Sequence, residues 1–242
     1  MLDFIMKKLL LSLTLAFLYT GIVNASVIGI GNTGFYTNTL ENNLVSQGHT
    51  VNGYASYDAT TLSGLDVYIQ DGNNYFNASL LDSFVFNGGT LIQLPWTFTH
   101  NSYTSDTTIM GGRTSLTYGA ANPDINVTDN TSWLLDNVIL PAAGAYTVGR
   151  EIGNTFDVNT SQVLEWADGT AMLGYREYGA GTVVGLNLHL ITSDSNPLNA
   201  DWSNQIIYNA VGGINDIPEP TSLALLGLGL AGFGFSRKKK KA

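Results

Sequence analysis

From residue 26 to residue 95 the chain alternates short apolar runs with stretches whose apolar residues recur every three or four positions. The run SVIGIG at 26–31 reads as a strand. After an Asn/Thr/Gly turn, Leu40, Leu44 and Val45 fall at helical spacing within 39–47, and Gly48 closes that helix. Residues 49–54 read as a second strand and LDVYIQ, at 65–70, as a third. Leu80, Leu81, Phe84 and Val85 line the apolar face of a helix over 77–86, and Gly88-Gly89 introduces a fourth strand at 90–95. Strands alternating with helices predict an α/β domain whose sheet is covered by helices joined through right-handed crossovers.

The pattern loosens over 96–149, which is rich in Thr, Asn, Ser and Gly. WLLDNVIL at 133–140 reads as a helix or a strand, and Asn122-Pro123-Asp124 and Pro141-Ala142-Ala143-Gly144 read as turns. Such insertions over an α/β scaffold often carry specificity. Regularity returns with a predicted hairpin, in which 163–166 pairs with 171–175 across Ala167-Asp168-Gly169-Thr170. Tyr178-Gly179-Ala180-Gly181 then turns into the apolar run TVVGLNLHL at 182–190. Trp202, Ile206, Ile207 and Ala210 predict a closing helix over 202–211.

Both ends carry export signals. Lys7 and Lys8 precede an apolar run at 9–23, and Val23-Asn24-Ala25 suits signal peptidase, so cleavage is expected after Ala25. At the other end Pro218, Glu219 and Pro220 precede an uncharged run at 221–235, followed by Arg237, Lys238, Lys239, Lys240 and Lys241. As a helix that run would span roughly 22 Å, short of the ~30 Å hydrocarbon core unless the basic side chains snorkel. The expectation is a short C-terminal transmembrane helix, with its basic end cytoplasmic and the body beyond the membrane.

Pro-Glu-Pro, a short Leu/Gly/Ala-rich segment and a basic cluster, in that order, resemble the PEP-CTERM sorting signal of Gram-negative bacteria. The resemblance implies recognition by exosortase and processing near Pro218-Glu219-Pro220. It also implies passage through the inner membrane to the cell surface or exopolysaccharide matrix. The expected organisation is a signal peptide at 1–25, an exported domain at 26–216 and a sorting signal at 217–242.

Those boundaries change the charge picture. Seven of the ten cationic residues lie in the two signals, leaving Arg113, Arg150 and Arg176 against seventeen carboxylates, a net charge of about −14 over 26–216. Such a surface excludes nucleic acid as a partner, because phosphate needs basic groups. With no cysteine in the chain, disulfides, an N-terminal lipid anchor and thiol nucleophiles are excluded.

VIGIG, Gln47-Gly48-His49, LDVYIQDGNN and FVFNGGTLIQLPW resemble the N-terminal half of class I glutamine-amidotransferase-like domains. That resemblance implies a flavodoxin-like three-layer sandwich with a mostly parallel sheet, and a late strand that brings a histidine to the site, for which His189 is the match. The family's cysteine is missing, so its activity does not carry over. In open α/β sheets ligands bind beyond the carboxyl ends of the strands. Here that edge collects a candidate cleft of Asp71, Asn73, Asn74, Trp96, His100, Asn187 and His189.

The function expected is an exported surface or matrix protein, delivered by signal peptidase and exosortase, with a non-catalytic domain that binds a ligand, exopolysaccharide among the candidates. The alternative is an exported hydrolase acting on carbohydrate or ester substrates. It would use His100 or His189 as base, Asp71 as its orienting partner and Ser102 or Ser193 as nucleophile, although no serine sits in a nucleophile elbow. Asp194, Asn196 and Asp201, or Asp157, Asn159 and Asp168, offer hard oxygen ligands without calcium-loop spacing. No metal, cofactor or catalytic residue is assigned.

Overall fold

The structure, a computed structural model, describes residues 25–31, 37–54, 56–70, 77–98, 106–145, 147–189 and 200–212. Its centre is β1 (Val27–Gly31), β2 (Thr50–Tyr54), β3 (Val67–Gln70) and β4 (Thr90–Gln93), all parallel. Three helices connect them, α1 (Thr37–Ser46), α2 (Ala59–Ser63) and α3 (Ala78–Phe86). β3 and β4 are buried along their whole length, which is why they read as unbroken apolar runs rather than alternating ones.

Two further hairpin strands, β11 (Ala171–Tyr178) and β12 (Gly181–Leu186), bring the chain back beside β4. β12 is parallel to β4, whereas β11, β10 (Ser161–Trp166) and β7 (Ile125–Val127) continue the sheet antiparallel. The sheet has eight strands in the order β2-β1-β3-β4-β12-β11-β10-β7. The insertion adds two small antiparallel pairs: β5 (Met110–Gly111) with β9 (Thr155–Phe156), and β6 (Ser115–Ala121) with β8 (Thr147–Ile152).

Helices pack on both faces. Leu40 and Leu44 of α1 share a buried cluster with Trp202, Ile206, Ile207 and Val211 of α4 (Ala200–Gly212) and with Ile28, Ile30, Val67, Ile69 and Ile92 of the sheet. Leu62 of α2 and Leu81, Phe84 and Val85 of α3 cover the other face around Tyr68, Leu91 and Val183. The alternation in VIGIG follows from this layering. Isoleucines 28 and 30 face α1 and α4, while a Cβ on Gly29 would run into Leu65 and press on the fully buried Tyr68 ring, and one on Gly31 would run into the Tyr68 hydroxyl. The glycines make room for a large ring lying across β1.

The expected fold class is corrected in two respects. The sheet is mixed rather than mostly parallel, because β12 returns as a hairpin with β11 and adds three antiparallel pairings to four parallel ones. Among the described residues no helix is long and apolar enough to cross a membrane. The longest, α4, has 13 residues. The expected transmembrane sorting helix, and the inner-membrane passage built on it, are withdrawn on that finding. The segments 1–24 and 213–242, where the signals were placed, lie outside the described residues.

The stretch 133–140 is neither helix nor strand but a 3-10 turn, Trp133–Leu135, followed by an irregular segment. Leu134 is buried beneath α4, and Asn209 Nδ2 ties the turn down by donating to the carbonyls of Leu134, at 3.0 Å, and Asp136, at 2.8 Å.

The β11–β12 hairpin meets α3 at Gly181, where a methyl group would collide with the carbonyl oxygens of Gly89 and Val85. Backbone atoms on both sides cannot rotate away. Gly181→Ala is therefore expected to cost about 3 kcal/mol of stability through overpacking. An unchanged midpoint in urea unfolding would show that the hairpin is not fixed there.

Candidate functional site

The topology reverses direction at β1, which has β2 on one side and β3 on the other, and the crevice at such a switch point is where open α/β sheets bind ligands. β3 and β4 end in register on Gln70 and Gln93. Both amides are buried, and Gln93 Nε2 lies 3.4 Å from Gln70 Oε1. Beside them Gly185 of β12 pairs with Gln93, and the ladder stops one residue later at Leu186.

Asn187 then keeps its backbone N–H on the Met172 carbonyl of β11 at 2.7 Å and turns its side chain to β8 as well. The fully buried amide accepts from the Glu151 N–H at 2.9 Å and donates to the Glu151 carbonyl at 3.0 Å and the Ala171 carbonyl at 2.8 Å. One side chain thus joins β8 to β11 just beyond β12, with its hydrogen-bonding capacity largely committed. His189 extends the contact, its N–H donating to the Gly149 carbonyl at 2.7 Å in an isolated antiparallel bridge.

This arrangement buries two titratable groups. Burial, helped by the charge of Arg113, pushes the His189 imidazole down to about 4, so it is neutral near pH 7. Glu151 is fully buried, with Asn154 Nδ2 donating to its Oε2 at 3.0 Å. Burial pushes this carboxyl up to about 7, against the opposing pull of the Asn154 hydrogen bond and the Arg113 charge. Its other oxygen, Oε1, has no hydrogen-bond partner among the described residues.

Arg150, the neighbour of Glu151 on β8, projects to the other side of the strand. It lies over the Trp166 ring, 5.1 Å from the centroid, and grips Asp168 through both terminal nitrogens, at 3.3 and 2.6 Å. Burial works to raise the Asp168 carboxyl, but hydrogen bonds from Arg150 and Thr170 outweigh it and hold it below the usual carboxylate range. The turn between β10 and β11 is clamped to the insertion by this pair.

Of the cleft proposed from sequence, Asn187 and His189 come together, both buried against β8. Trp96 belongs to the 3-10 turn Pro95–Thr97 directly after β4. Asp71, Asn73, Asn74, His100, Ser102 and Ser193 lie outside the described residues. So do the sorting residues Pro218, Glu219, Pro220, Arg237 and the four lysines after it, and so do Asp194 and Asn196.

Asp157 and Asp168 of the second oxygen-ligand set are separately engaged, with Arg176 at 3.1 Å and Arg150 at 2.6 Å. Asp201 is exposed in the first turn of α4. Among the described residues no three His, Asp or Glu gather to hold a metal. His49 is structural, its Nδ1 accepting from the Ser26 N–H at 3.2 Å.

Sequence reasoning passed over Gln70, Gln93, Glu151 and Arg113. A signal for the glutamines was present, since VYIQ and TLIQ both close a buried strand on Gln at the same register. The carboxyl edge thus carries two buried polar groups, the Gln70–Gln93 amides and, at the end of β12, Asn187 and His189 against β8. Such groups suit a polar ligand held by hydrogen bonds.

The two buried titrations oppose each other. Glu151 binds its proton more tightly folded than unfolded, so its contribution is present below about pH 4.5 and is lost as pH rises through about 7. His189 binds its proton less tightly when folded, so its contribution is present above pH 6.5 and is lost as pH falls through about 4. Glu151→Gln keeps the acceptor for Asn154 and removes the first titration. The variant should then gain stability steadily from about pH 4 to 6.5, by an amount on the order of 2–3 kcal/mol, where the parent is nearly flat. Parallel curves for the two proteins in chemical unfolding across that range would contradict the burial of Glu151.

Comparison with known proteins bears on the two ends of the problem separately. The profile of the PEP-CTERM protein-sorting motif matches residues 216–238, so the chain carries this export and sorting motif, consistent with a substrate of the exosortase machinery. No curated protein matches the chain. Solved structures resemble its fold. A structure described as a thua-like protein from Bacteroides uniformis superposes with a TM-score of 0.58 at 10% identity, covering 80% of this chain and 93% of that one. One described as a GMP synthase subunit from Thermoplasma acidophilum gives 0.52 at 10% identity, covering 79% and 94%. A cytoplasmic protein from Salmonella typhimurium LT2 gives 0.54 at 11% identity, covering 77% and 98%. At these identities the likeness concerns the fold alone.

Proposed function

We propose that the chain is an exosortase substrate exported to the cell surface or extracellular matrix, where its α/β domain binds a ligand rather than transforming one. The observation that carries this reading is the sorting motif at 216–238. Its Pro218-Glu219-Pro220 and basic cluster are the parts exosortase would recognise, with the domain at 26–216 as cargo and 1–25 as a leader for signal peptidase.

Support for binding comes from the carboxyl edge of the sheet, where buried Gln70 and Gln93 and the neutral imidazole of His189 present uncharged polar groups. The cleft proposed there takes Asp71, Asn73, Trp96 and His100 as further walls. The likeness to the GMP synthase structure concerns the fold alone, and a chain without cysteine would not carry the thiol chemistry of the amidotransferase-like family its N-terminal half resembles.

Replacing Pro218, Glu219 and Pro220 together by alanine tests the sorting. The variant should accumulate in the cells while the parent is released or displayed, and mass spectrometry of the mature parent should find termini at Ser26 and near Pro218. Normal release of the triple variant, or an intact 237–242 end on mature protein, would refute the reading.

A further inference from the structure

We propose that a second site lies at the opposite edge of the sheet, in a groove beside the end of β11, and that it binds a neutral saccharide. β10 and β11 pair only as far as Ser161 with Tyr175, whereas β11 continues against β12 to Tyr178 with Gly181. The last three residues of β11 therefore run past the start of β10. The chain before β10 does not fill the space, because it turns at Asp157, whose carbonyl accepts from the Thr160 N–H at 3.0 Å. What remains is a cavity of about 500 Å³ lined by this strand end, Asn159, Ser161 and Asp106, within the range of small-ligand sites.

The walls are fixed before any ligand arrives. Arg176 spans the groove, donating to Asp157 Oδ1 at 3.1 Å and to the Asp106 carbonyl. The Tyr178 hydroxyl donates to Asp106 Oδ2 at 2.8 Å, and its ring meets Phe86 edge-on with centroids 5.7 Å apart. Tyr175 is held in the same manner against Trp133 at 6.1 Å. Tyr175 and Tyr178, three apart on β11, pack on opposite faces of the sheet, so the groove follows the free edge of the strand, with Tyr178 held in advance on the Arg176 side.

The groups left facing solvent set the ligand chemistry. Glu177, Asn159 and Ser161 are exposed, and no side-chain hydrogen bond among the described residues uses the Glu177 carboxylate, the Asn159 amide or the Ser161 hydroxyl. A carboxylate accepts, an amide donates and accepts, and a hydroxyl does both. A sugar ring presents hydroxyls that also do both, and one of its C–H faces suits the apolar body of Tyr178.

Anions are disfavoured, since the cation lining the groove, Arg176, is already engaged with Asp157 while Asp106 and Glu177 leave it negative. Metal ions lack a ligand set, because no three acidic or histidine residues gather among the described residues. A neutral polyol meets the remaining requirement for mixed donors and acceptors. This site goes beyond the carboxyl-edge reading and does not depend on the sorting motif.

The test uses the full chain, titrated by calorimetry and by saturation-transfer NMR with cellotriose, maltotriose and chitotriose, and with trigalacturonate as the anionic comparison. At least one neutral trisaccharide should bind, trigalacturonate should not, and Glu177→Ala and Asn159→Ala should each weaken binding about tenfold while melting with the parent. Both substitutions fall on exposed side chains outside the core, so folding is preserved. Absence of binding by all three neutral sugars, preference for trigalacturonate, or affinity unchanged in both variants would each overturn the proposal. Export of the protein is read separately, so failure here leaves the sorting result standing.

Discussion

A buried amide must find partners for its donors and its acceptor or impose a penalty of about 1–3 kcal/mol for each group left unsatisfied. Asn187 meets that requirement by reaching β8 and β11 together, and the carboxyl edge of the molecule is organised around the result. A two-stranded ribbon such as β6–β8 is at best marginal alone in water. Its attachment to the main sheet runs through Asn187, the backbone bridge at His189 and the Arg150–Asp168 pair. Glu151 lies on the strand that this attachment holds against the main sheet, and it is fully buried there. The burial that raises the Glu151 carboxyl and lowers the His189 imidazole thus occurs where one asparagine satisfies its hydrogen bonds.

The parts legible in the sequence were those whose cause is local. The helices at α1, α3 and α4 announced themselves by the spacing of Leu40 and Leu44, of Leu81, Phe84 and Val85, and of Trp202, Ile206 and Ile207. Asp168-Gly169 marked the β10–β11 turn, where Gly169 has a positive φ of 82°. β12 read past its end because Leu186 and Leu188 keep the apolar pattern while the parallel ladder with β4 has already stopped.

Strand direction was legible where a turn marked it, so the hairpin of 163–166 with 171–175 was read and is antiparallel as β10–β11, whereas the pairing of β10 with β7 carried no such signal. The insertion read as loops because β6 and β8 find each other across more than twenty residues, guided by contacts on β8 rather than by periodicity. Of the candidate site, His189 was found through a resemblance and Asn187 through its place after a strand. Glu151 was invisible because the side chain that ties its strand to the main sheet, Asn187, lies 36 positions away.

The three arginines of the domain remain to be considered together. Arg150 and Arg176 each hold a carboxylate, and the charge of Arg113 is felt by Glu151 and His189. Two of the domain's three cations thus act as internal struts, and the field it presents to its surroundings is dominated by the remaining carboxylates. In physiological salt such a field fades over about 8 Å. Copies crowded on a surface or in a gel would keep at least that separation, and packing would tighten as salt rises. With Arg150 and Arg176 paired internally, repulsion between neighbouring copies would be set by the carboxylates and would weaken as ionic strength rises.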